Sequence, residues 1–218
     1  AAFAPDDAIG WYRQALDLLD RQGDGDERMR CRLLVALGTA QCRAARSEFR
    51  DTLRDAGRIA RRLGDRDLLV AAARSRDPGI EMMGEVDPDR LALLEAALES
   101  VGQSDSADRA HLLAGLAEEM DPRDPDRAAV AFDAADLAHR VGDEREFLAI
   151  LLLASNPMTT PDSLDRRRDE ATRAIEVAER LGDAASLSAV LGFRMMVAGE
   201  AGDLAGFDLG LASVAAIV

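Results

Sequence analysis

The phrase ARRLGD at 60–65 returns with drift as LDRQGD (19–24), LESVGQ (98–103), AHRVGD (138–143) and AERLGD (178–183). Its glycines, Gly23, Gly64, Gly102, Gly142 and Gly182, stand 41, 38, 40 and 40 residues apart. A period near forty residues is the length of a helix pair in a solenoid, where each pair buries its apolar face on its neighbours. The predicted fold is therefore all-α: an αα-superhelix forming one repeat domain over 1–218.

Counting back from each glycine supports this. Eleven residues back lie Tyr12, Leu53, Leu91, Ala131 and Ala171, and eight back lie Ala15, Ala56, Leu94, Ala134 and Ala174. Five back lie Leu18, Ile59, Ala97, Leu137 and Val177, and four back lie Leu19, Ala60, Leu98, Ala138 and Ala178. Steps of three and four mark the apolar face of a helix preceding each glycine, here the B helix. The A helices follow the glycines: LLVALGTAQ (33–41) matches LLAGLAEEM (112–120) in the same register. Prolines 5, 88, 125 and 161 stand at B-helix starts, where a missing N–H costs nothing. The predicted B helices cover 6–22, 47–63, 87–101, 125–141, 162–181 and 203–216, and the A helices 26–44, 66–76, 105–120, 143–154 and 183–198, eleven in all.

Composition narrows the function. The 218 residues are 48% hydrophobic but only 4% aromatic, so the core is built from Leu, Ala, Val and Ile. A net charge of −14 argues against direct nucleic-acid binding, which needs clustered positive charge. All 27 basic residues are Arg, and without Lys there is neither a P-loop nor a Schiff base. Cys31 and Cys42, roughly 16 Å apart along one helix, are too far apart for a disulfide; two free thiols suit the cytoplasm. No apolar run is long enough to cross a membrane. The apolar ends AAF and SVAAIV suggest a piece of a longer array, with self-association through them.

The residues also carry a resemblance. AIGWYRQALDLL (8–19) resembles the second helix of a tetratricopeptide repeat, and Leu34, Leu37 and Gly38 match the first-helix signature. FRDTLRDAGRIARRLGD (49–65), GEVDPDRLALLEAAL (84–98), VAERLGDAASL (177–187) and AGDLAGFD (201–208) resemble the tetratricopeptide-like region of large actinobacterial AAA/STAND ATPase regulators. Such regulators carry LuxR-type or SARP-type DNA-binding domains or class III nucleotidyl cyclase domains. The forty-residue period, Gln41 and Met120 depart from the usual repeat, and with no Lys and only Asn156 the chaperone-type carboxylate clamp cannot be reproduced. The resemblance implies a non-catalytic sensor or interaction arm that couples partner binding to an attached ATPase. It turns Arg32, Val35, Thr39, Cys42, Arg43, Ala114, Glu118, Phe193 and Met196 toward the inner surface. Met82 and Met83, between Gly79 and Gly84, form either an adaptable contact patch or part of the core. The implied partner is a protein, a peptide or another domain of the regulator. A helical ligand-binding or enzymatic domain using the A-to-B loop rim, and an oligomerisation spacer, are the alternatives.

The remaining polar groups read as structural, so no catalytic residue, metal or cofactor is expected. Asp105, Asp108 and His111 share a helix surface, but no second such motif faces them, which leaves a capping acid and an exposed His. His139 falls in the column of Arg61 and Glu179, a surface position. The acidic run Glu118, Glu119, Asp121, Asp124 and Asp126 lacks calcium-loop spacing. Arg166, Arg167 and Arg168 are expected to pair within their own helix with Asp162, Asp165, Asp169 and Glu170.

Overall fold

The computed structural model describes residues 5–23, 25–75 and 86–216. Among these described residues eleven α-helices run α1 (Pro5–Gln22), α2 (Glu27–Arg43), α3 (Phe49–Leu63), α4 (Arg66–Arg74), α5 (Pro88–Val101), α6 (Ala107–Glu119), α7 (Arg127–Val141), α8 (Glu144–Ala154), α9 (Leu164–Leu181), α10 (Ala184–Glu200) and α11 (Leu204–Ala215). Among the described residues there is no strand, and no helix is long and apolar enough to cross a membrane.

The recurring Gly-Asp explains the sharp turns. Gly64, Gly142 and Gly182 close α3, α7 and α9 at φ of +62°, +78° and +63°, where a side chain would strain the backbone. The aspartate that follows caps the next helix: Asp65 accepts from Leu68 N, Asp143 from Arg145 N and Glu146 N, and Asp183 from Ser186 N. Each such cap contributes about 1 kcal/mol. One dipeptide thus stops a helix and starts its successor. LESVGQ lacks the aspartate, and there the cap moves on to Ser106.

Contacts gather into two compact units, residues 1–102 and 103–218. In the first, α2 packs on α1 and α3, α4 on α3, and α5 on α4, with smaller seams between α2 and α4 and between α3 and α5. Gly38 of α2 faces Leu53 of α3, and Gly57 of α3 faces Leu93 of α5; a Cβ at either glycine would come within 2.6 Å of a leucine carbon. In the second unit α7 packs on α6 and α8, and α9 on α8 and α10. Its core sets Ala110, Ala114, Ala117, Ala131, Ala134, Ala138, Ala171, Ala174 and Ala178 around Phe147, Leu148, Ile150 and Leu151 of α8. Alanine lets the helices approach closely, and the long α8 side chains fill the space between them.

The apolar columns hold through α3, α7 and α9: Leu53, Ala56, Ile59, Ala60, Ala131, Ala134, Leu137, Ala138, Ala171, Ala174, Val177 and Ala178 are all buried. Leu18 departs at 57% exposure, because α1 packs on α2 alone among the described helices. At the other end the exposed large apolar residues of α11 are Leu204, Phe207, Leu209 and Leu211, ahead of the SVAAIV stretch. Residues 1–4, 217 and 218 lie outside the described residues.

Candidate interaction surface

A stripe along α2 carries Arg32, Val35, Thr39 and Arg43, spaced three, four and four residues apart so that they share one face. Arg32 and Arg43 are exposed, and Val35 and Thr39 half-buried. The Thr39 hydroxyl donates to the Val35 carbonyl at 2.8 Å and lies 2.9 Å from Ser75 Oγ at the end of α4. Between α1 and α2 this stripe borders a groove of about 240 Å³, lined by Pro5, Ala8, Tyr12, Ala36, Thr39, Ala40 and Arg43. Its floor is methyl groups, with a phenol and a guanidinium on its margins. Among the described residues the side chains of Arg32 and Arg43 make no hydrogen bond or ion pair.

Other expected surface positions are corrected. Phe193 is 5% exposed and belongs to the core of the second unit, Ala114 is fully buried, and Cys42 is buried beneath the stripe. Alternation along a helix separates two faces but cannot say how many neighbours each face meets; α10 packs on α8, α9 and α11, which covers Phe193. Met196, one turn further, is exposed. Glu118 is mostly covered, with its carboxylate 4.0 Å from Arg127, whose Nε donates to the Ala117 carbonyl. Met82 and Met83 lie outside the described residues.

The polar groups expected to be local instead link helices. His139 is half-buried: its Nε2 meets the Glu170 carboxylate at 2.8 and 3.1 Å, and its ring lies 4.6 Å from Phe147. Arg173 Nη1 is 3.0 and 3.2 Å from the two ring nitrogens, near-equal distances that set the guanidinium over the imidazole face. His111 is likewise mostly covered, with Nδ1 3.6 Å from Glu146. Asp105 does not cap α6 but binds Arg140, whose hydrogen bond holds that carboxyl below its usual range.

Of the three consecutive arginines only Arg168 pairs within its helix, with Asp165. Arg166 reaches Asp136 and stacks over Phe132, 4.2 Å away. Arg167 is fully buried, donating to Ser163 Oγ at 3.0 Å and to both Glu200 oxygens at 3.0 and 2.5 Å. Ser163 Oγ in turn lies 2.7 Å from the Met158 carbonyl, so the 155–163 connection is tied inward to the end of α10. No sequence signal distinguishes Arg167 from its neighbours except its place on the Ala171–Ala174 side of α9.

Among the described residues no group of three His, Cys, Asp or Glu side chains could hold a metal ion. Both cysteines are free and buried; burial raises the Cys31 thiol's pKa, aided by the Asp65 charge, and its Sγ lies 3.3 Å from the Ala56 carbonyl. No protein-family model matches the sequence, and no curated protein matches it. Fold and surface together define an all-α protein of packed helix pairs that presents a mixed apolar and cationic stripe on α2.

Proposed function

We propose that this chain is a non-catalytic interaction module, a tetratricopeptide-like αα-superhelix that receives a protein or peptide segment along the α2 stripe. The observation that carries the reading is the pair Arg32 and Arg43, exposed on one face and making no ion pair among the described residues, with Arg43 at the edge of an apolar groove. Two uncommitted guanidinium groups on a face that also opens onto methyl-lined space suit a segment carrying both carboxylates and small apolar side chains. Extending the resemblance, the module is the sensor arm of a cytoplasmic, multidomain, ATP-dependent signalling or transcriptional regulator. A bound partner would favour one curvature of the helix stack, and the attached ATPase would respond to that shift.

Selection of a random peptide library on the purified chain tests this. Enriched peptides should carry Asp or Glu, and the double variant Arg32→Glu, Arg43→Glu should bind them at least about tenfold more weakly with an unchanged thermal melt, because exposed charges contribute little to stability. If no peptide is enriched, or if the double variant binds equally well, the reading fails.

A further inference from the structure

The outer faces of α3 and α9 occupy the same place in the repeat and carry opposite charge. At about 100° per residue, Arg50, Arg54, Arg58 and Arg61 fall within an arc of roughly 80° on α3. Asp165, Asp169, Glu176 and Glu179 fall within a similar arc of roughly 80° on α9. Register sharpens the match: Arg58 and Glu176 both stand six residues before their repeat glycine, and Arg61 and Glu179 both stand three before.

The acidic stripe is a product of tertiary structure, since α9 holds five acids and five arginines and is neutral as a sequence. Arg166, Arg167, Arg173 and Arg180 are drawn to Asp136, Glu200, His139 and Glu144 on other helices. Glu170 is turned inward to His139. Among the described residues the side chains of Asp169, Glu176 and Glu179 make no hydrogen bond or ion pair; Asp165 meets only Arg168. On α3, Arg61 likewise makes none and Arg58 shares an exposed i,i+3 pair with Asp55, while the half-buried Arg54 meets both Asp51 and Asp89. Such exposed pairs are weak and can exchange partners.

We propose that these stripes are the two sides of a homotypic contact, α3 of one copy lying against α9 of a second copy. Charge selects the occupant. A chain of net charge −14 repels its copies, yet α3 carries five arginines against two acids, a local excess of three positive charges. The stripes are also similar in length, covering twelve and fifteen residues, roughly 16 and 21 Å from first to last. The contact uses neither the α2 stripe nor the exposed leucines of α11, so it stands or falls separately from the peptide-binding reading.

Sedimentation of the full chain at about 20 mM and 500 mM salt tests the contact, since screening shortens the reach of charge to a few ångströms at high salt. The wild type should associate at low salt and weaken at least about tenfold at high salt. The variant Arg58→Glu, Arg61→Glu and the variant Glu176→Arg, Glu179→Arg should each be monomeric alone and associate when mixed, because both stripes then match across the pair. Circular dichroism confirms folding of each. If one reversal does not fold, Glu176→Gln with Glu179→Gln should still weaken association. A wild type monomeric at both salts, association that survives the reversals or high salt, or a mixture that stays monomeric would overturn the proposal.

Discussion

The two units solve the same packing problem with different charge. Residues 1–102 carry sixteen arginines against nineteen acids, a net −3, whereas 103–218 carry eleven against twenty-two, a net −11. The first unit's cross-helix pairs are mostly exposed, as in Arg46 with Asp6, Arg62 with Glu27 and Arg30 with Asp20. In the second unit Arg167 and Glu170 are taken inside and held by Glu200 and by His139. A unit with excess acid loses part of its self-repulsion by committing its few cations to cross-helix bonds, and the same commitment leaves α9 with an acidic outer face.

The largest predicted effect tests whether the first unit, with its exposed pairs, depends on apolar packing alone. Leu94 is 1% exposed on α5, and Leu94→Asp buries a charge without a partner, so it should cost several kcal/mol and unfold that unit in a thermal melt. An unchanged melt would remove α5 from the core. The next effect tests the buried polar lock of the second unit. Glu200→Ala strands a fully buried Arg167, at a cost of about 3 kcal/mol, the lower end of the range because Glu200 is itself partly exposed. Adding Arg167→Met should recover much of that loss, and a chemical-denaturation series on the single and double variants reads it directly.

Acid should separate the units too. Hydrogen bonds from Arg167 hold Glu200 below its ordinary value of 4.5, so its stabilisation is present above that value and lost as pH falls through the lowered one. Asp105 and Asp183 of the same unit are held low by Arg140 and by the Ser186 backbone N–H. The wild type should therefore lose stability below about pH 4, and Glu200→Gln should flatten part of that slope in an acid titration followed by circular dichroism. The smallest effect concerns close helix approach in the first unit. Gly38→Ala places a methyl against Leu53, and overpacking should exceed the gain in helix propensity by about 1 kcal/mol. A stabilised variant would mean that Leu53 has room to turn aside.

Much of this architecture can be read before any coordinates. The Gly-Asp phrase specifies where helices stop and start because both residues act locally, one through its permitted φ and the other through a cap three residues long. The columns before Gly64, Gly142 and Gly182 identify the buried side of α3, α7 and α9 because a helix buries its face at its own period. Leu18 and Phe193 escape that logic: how deeply a side is covered depends on how many neighbouring helices arrive, and α1 has one described neighbour where α10 has three.

Sequence by itself determined the all-α class and, among the described residues, the eleven α-helices and their punctuation, all consequences of interactions within a few residues. Only tertiary structure decided the fate of the polar residues. Arg166, Arg167 and Arg168 are chemically identical neighbours, yet one stacks on Phe132, one is buried against Glu200 and one stays on its own helix. The physical reason is that successive residues point about 100° apart around a helix, so each guanidinium meets whatever surface another part of the chain brings to that direction.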